Sequence, residues 1–174
     1  MQTTFIITFI GDDRPGLVEA LSEVISAHQG NWVESRLSQL AGKFAGLISV
    51  TLPSSAVQEL ETALKGLSAA GISVRVTESS DVQPEHDLDR IMTLTALGPD
   101  RPGIVREITA ALSKRSINVI DMESYVSPAP MSAESLFHAR IEVVVPEPDM
   151  LEELVDTLDL IADEMHMDIS LEAN

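Results

Sequence analysis

Cysteine is absent from this 174-residue chain. That excludes a disulfide framework, a thiolate zinc site and a thiol nucleophile. It also fits a reducing compartment, so a cytoplasmic setting is expected. Aromatic residues are scarce at 3%, so any core must be built from Leu, Ile, Val, Ala and Met. Basic residues number 11 against 28 acidic ones, for a net charge of -17. A face that reads phosphates needs clustered Lys and Arg. Here they are few and scattered, which argues against direct contact with nucleic acid and against adsorption to an anionic membrane. No apolar run reaches the length of a membrane span, and residues 1–8 have neither the basic segment nor the apolar stretch of a signal peptide. The histidines, His28, His86, His138 and His166, form no i, i+4 pair, so neither a metal nor another cofactor is expected. Nucleotide-binding glycine patterns and local Ser-His-Asp motifs are missing too, and the chain is not expected to be an enzyme.

What is present is a repeat. Gly11-Asp12-Asp13-Arg14-Pro15-Gly16-Leu17-Val18 returns as Gly98-Pro99-Asp100-Arg101-Pro102-Gly103-Ile104-Val105, an offset of 87 residues. Thr8, Ser26 and Asn31 match Thr95, Ser113 and Asn118 at the same offset. Further on, Phe44, Ile48, Val50 and Leu52 align with Phe137, Ile141, Val143 and Val145. The extra residues of the second copy fall around Ser127–Met131, where a surface turn tolerates insertion.

Each copy reads as strand, helix, strand, strand, helix, strand. The first strand is expected at Thr4 to Ile10 and at Ile91 to Leu97. The first helix is expected at Pro15 to His28 and at Pro102 to Arg115, with apolar residues at helical spacing. The second strand starts at Asn31 or Asn118, and the third alternates strictly. The order βαββαβ predicts an α+β fold: two tandem ferredoxin-like domains, each an antiparallel sheet with helices on one face. The first spans 1–79, a polar linker 80–89 and the second domain 90–174.

The loop after the first strand is the part of each copy that can carry chemistry. Gly11 and Gly98 suit a strained turn. Asp13 and Asp100 precede the helix, where a carboxylate can cap free N–H groups. Pro15 and Pro102 suit the first helical turn. Gly16 and Gly103 leave the helix start bare to an approaching ligand. Arg14 and Arg101 oppose the helix macrodipole unless they pair with a carboxylate. Free N–H groups for an anion and acidic side chains for an ammonium together complement a zwitterionic amino acid. The same residues are also a plain capping signal, and both readings stand at this level. Asn31 and Asn118 can be left-handed caps or can offer an amide to a ligand.

The Asp-Arg-Pro-Gly loop inside a duplicated βαββαβ unit resembles the ACT domain family. The tandem pair resembles that family's glycine cleavage system transcriptional repressor group. The resemblance implies regulation through small-molecule binding, with contacts from the first loop and the start of the second strand. Carried over, the ligand-binding residues are Asp12, Asp13, Arg14, Pro15, Gly16 and Asn31, with Asp100, Arg101, Pro102, Gly103 and Asn118. It further implies an amino-acid ligand, with glycine as the candidate, and action through a DNA-binding transcription regulator, not on DNA itself. Asp12 becomes Pro99 in the second copy, so the two copies need not bind alike. A homodimer is expected from the outward sheet faces. Two other functions fit the same pattern: a regulatory subunit of a metabolic enzyme, and a constitutive interaction module with degenerate ligand sites.

Overall fold

Phe5, Ile7 and Phe9 alternate with half-buried neighbours along the first strand, and this period of two puts one face into a core. A computed structural model describes residues 2–79, 90–130, 134–145 and 149–173. The chain divides into two compact units, Met1–Gln83 and Pro84–Asn174. The linker expected at 80–89 lies outside the described residues, as does Met131 of the second hairpin.

In the first unit, β1 (Gln2–Asp12) leads to α1 (Leu17–Ala27), β2 (Asn31–Leu40), β3 (Lys43–Pro53), α2 (Val57–Gly66) and β4 (Ser73–Glu78). A short 3-10 turn, Leu67–Ala70, extends the end of α2. The second unit repeats this as β5 (Ile91–Pro99), α3 (Ile104–Ser113), β6 (Asn118–Pro128), β7 (Ser135–Val144), α4 (Asp149–Met165) and β8 (Asp168–Ala173). The sheets are antiparallel, in the orders β2-β3-β1-β4 and β6-β7-β5-β8. This is the ferredoxin-like α+β fold, twice.

Each unit has its own core. Leu17, Leu21 and Ile25 of α1, with Leu60 and Leu64 of α2, pack on Ile7, Ile48 and Val50 of the sheet. Ile104, Ile108 and Leu112 of α3, with Leu154 and Leu158 of α4, do the same over Leu94, Ile141 and Val143. Burying one such side chain contributes about 1.5–3 kcal/mol, so mostly aliphatic cores suffice, to which Phe5, Phe9 and Phe137 add aromatic bulk.

Details depart from the expected pattern. Gly11 and Gly98 are not turn residues; they sit inside strands, paired with Phe44 and Phe137. A side chain there would press on Leu17 at 3.0 Å or on the Met167 backbone at 2.9 Å, so close packing is what requires glycine. The left-handed residues after the first helix of each unit are Gln29 and Ser116, not Asn31 and Asn118, which open strands instead. Edge strands β2 and β6 each slip register at the same place in the repeat, between Trp32 and Glu34 and between Val119 and Asp121. A bulge at an edge discourages further strand pairing there.

Candidate functional site

The first loop leaves β1 beside an ion pair. Asp12 and Lys43 face each other across the β1–β3 ladder, and their side chains are joined. The Lys43 hydrogen bond and charge hold the Asp12 carboxyl below its ordinary value of 3.8, with a smaller effect from Arg14. The Asp13 backbone N–H then donates to the Gly42 carbonyl at 3.0 Å, fastening the loop to the β2–β3 turn. Arg14 donates from Nη2 to the Ala70 carbonyl at 2.6 Å. Its cation therefore sits at the carbonyl end of the α2 extension, where the helix dipole favours it.

Pro15 lies before the helix, not in its first turn. Gly16 is the N-cap, with a left-handed φ of 86°, and no side chain caps α1. The expected Asp13 cap is thus not made, because the chain reaches the helix through a left-handed glycine that carries no capping group. The first backbone N–H groups of α1 are left for another acceptor. Around them opens a cavity of about 280 Å³, lined by Asp13, Arg14, Pro15, Gly16, Leu17, Val18, Glu19 and Phe44. Phe44 packs on Phe9, with ring centroids 5.9 Å apart. Glu19 reaches back to within 3.9 Å of where a Gly16 side chain would start. The sequence pattern gives Glu19 no role and Phe44 only a place in the repeat. The available signal was helical spacing, since Glu19 stands three residues beyond Gly16 and returns over the first turn.

The second loop keeps the backbone and changes the charges. The Asp100 N–H donates to the Ser135 carbonyl at 2.8 Å, and Gly103 caps α3 with φ 102° and no side-chain cap bond. Pro102 precedes the helix as Pro15 does. Arg101 is half-buried, and its Nε has no hydrogen-bond partner among the described residues. Where the first loop has Glu19, the second has Arg106, paired with Glu107 at 2.6 Å.

Asn31 and Asn118 do not join these loops. Asn31 pairs with Thr51 and Thr51 with Thr4, whereas Asp12 pairs with Lys43. Asn31 is therefore level with Thr4, and eight residues of extended strand, about 26 Å, separate that level from Asp12. Asn118 opposes Val144 while Pro99 opposes Leu136, giving the second unit the same separation. Within one domain, the loop and the start of the second strand are two places. Among the described residues, no group of three or more His, Asp or Glu is placed to hold a metal ion, and no helix is long and apolar enough to cross a membrane.

Residues 3–77 and residues 92–159 match family models that are each described as an ACT domain. The glycine cleavage system transcriptional repressors of Escherichia coli (strain K12) and Shigella flexneri are each 23% identical over 140 residues, covering 80% of this chain and 74% of theirs. A crystal structure of an unknown protein from Galdieria sulphuraria superposes with a TM-score of 0.83 at 31% identity, covering 100% of this chain and 99% of that one.

Proposed function

The chain belongs to the ACT domain family, and on that premise we propose that it is a regulator that senses a small amino acid, with glycine the first candidate. The ligand binds at the first strand–helix loop and alters contact with a DNA-binding transcription regulator. The observation that carries this reading is the cavity of about 280 Å³ over an uncapped helix start. A ligand carboxylate would accept from the free N–H groups of α1. Its ammonium would lie toward Asp13 and Glu19. A net charge of -17 suits a basic protein surface better than a phosphate backbone. The protein acts as a homodimer, whose second copy is the natural route for coupling one ligand to a larger surface.

A thermal-shift titration against the twenty amino acids tests the ligand. Saturation to 100 times the dissociation constant should add about 2.7 kcal/mol of stability. No shift with any amino acid would remove the sensor reading. Retardation of duplex DNA by the purified chain alone, at physiological salt, would remove the protein-contact half.

A further inference from the structure

His28 and Arg115 occupy one position of the repeat, three residues beyond the last buried residues of α1 and α3, Ile25 and Leu112. Both begin alike. The His28 ring donates from Nδ1 to the Val24 carbonyl at 2.8 Å, and Arg115 donates from Nη1 to the Ala111 carbonyl at 3.2 Å, each four residues back. Arg115 then goes further. Its Nη2 crosses to α4, donating to the Glu153 carbonyl at 2.9 Å and to Thr157 Oγ1 at 2.6 Å.

The buried leucines set the register of the second helices. Leu60 and Leu64 of α2 match Leu154 and Leu158 of α4, so Glu59 matches Glu153 and Ala63 matches Thr157. An imidazole is too short to make the crossing. Where the second domain holds its guanidinium, the first has a groove of about 530 Å³ lined by His28, Ser55, Gln58, Glu59, Thr62 and Ala63.

We propose that this groove between α1 and α2 binds a guanidinium group supplied from outside the domain. The second domain shows that the helix pair accommodates that group at this place. The first domain lacks the Thr157 hydroxyl, and the exposed Glu59 carboxylate with the Gln58 and Ser55 side chains offers acceptors in its stead. Guanidinium remains charged at any working pH, and its planar fork of donors matches such a set. The site is separate from the strand–helix loop and does not depend on the loop's function.

The test is an amide-resolved NMR titration of the full chain with methylguanidinium, with neutral methylurea as the control. Saturating shifts are expected at His28 and Ser55–Ala63 with the cation and not with methylurea. Glu59→Gln should weaken binding about threefold, the scale of one partly exposed charge pair. His28→Arg supplies the group from within and should abolish the saturating shifts while the spectrum remains folded. Equal shifts with methylurea, no saturation in the groove, or undiminished binding in His28→Arg would overturn the proposal. Free L-arginine and N-acetyl-arginine amide then separate the sources. Tighter binding of the free amino acid assigns a metabolite, and tighter binding of the blocked form assigns an arginine side chain of a partner protein.

Discussion

The Ala70 carbonyl accepts a hydrogen bond from the Arg14 guanidinium at 2.6 Å, so the residue that looks most like a ligand hook also ties its loop to the end of α2. Asp13 has no such tie: its backbone is held by Gly42, and its side chain caps nothing. Arg14→Ala should therefore lower stability by about 0.5–1 kcal/mol even without ligand. Asp13→Ala should change stability by less than about 0.5 kcal/mol, where loss of a true N-cap costs about 1 kcal/mol. Denaturant melts of the ligand-free variants check both. A large loss in Asp13→Ala would restore the capping role that the loop's sequence allows.

Gly16 should resist substitution for a backbone reason. Its φ of 86° lies in the left-handed region, and the space around it is open, with Glu19 Oε2 at 3.9 Å. Gly16→Ala should cost about 1–2 kcal/mol through strain alone, with no clash to relieve. Gly103, at φ 102°, should behave alike. Thermal melts showing no loss in either variant would contradict the left-handed cap.

The Asp12–Lys43 pair predicts a pH signature. Asp12 titrates below its ordinary 3.8, chiefly through the Lys43 hydrogen bond and charge. A lowered folded pKa means that the pair's contribution is present above the unfolded value and lost as pH falls through the folded one. Following the Asp12 side-chain carbonyl by NMR, Lys43→Gln should bring its midpoint back toward 3.8. Because the pair is exposed, added salt should do part of the same. A midpoint unmoved by Lys43→Gln would mean that the pair does not form in solution.

How much of this was legible follows from what periodicity encodes. Phe5, Ile7 and Phe9 announce a strand by alternation, and Leu17, Leu21 and Ile25 announce a helix by spacing, because burial of one face imposes each period. The duplication was readable because the same packing recurs at one offset. Periodicity says nothing about which end of a strand meets which loop. Asn31 is 15 residues beyond Gly16 in sequence, yet α1 carries the chain down the sheet, so β2 starts at the far end. The helix starts later than its sequence predicts for a local reason. Pro15 favours a first turn, but the left-handed Gly16 delays the helix to Leu17. Glu19 could be placed over the loop only once that start was known.

Each unit contains a complete four-stranded sheet, two helices and its own buried cluster. We propose 1–79 and 90–174 as the two domains, and each fragment should fold alone with a single cooperative transition. Leu21→Ala in the first fragment should lower its stability by about 2–5 kcal/mol, since Leu21 is fully buried. A fragment that shows no transition in calorimetry would mean that the boundaries cut into a shared core.

The charge reversal between the two loops leads to the last prediction. Glu19 lies over the Gly16 backbone, while Arg106 lies 4.0 Å from where a Gly103 side chain would start. A carboxylate there favours a ligand's ammonium and disfavours a second acidic group; a guanidinium does the reverse, although Glu107 already engages Arg106. If an amino acid binds the first loop, Glu19→Gln should weaken it about threefold, the scale of a partly exposed charge pair. Glu19→Arg should weaken it more and shift preference toward acidic side chains. Arg106→Gln should leave first-loop affinity unchanged. Calorimetric titration of the three variants separates these outcomes. Glu19→Gln and Arg106→Gln change the net charge in opposite senses, so affinity shifts of similar size and opposite sign would show that bulk charge governs binding and that neither residue reads the ligand.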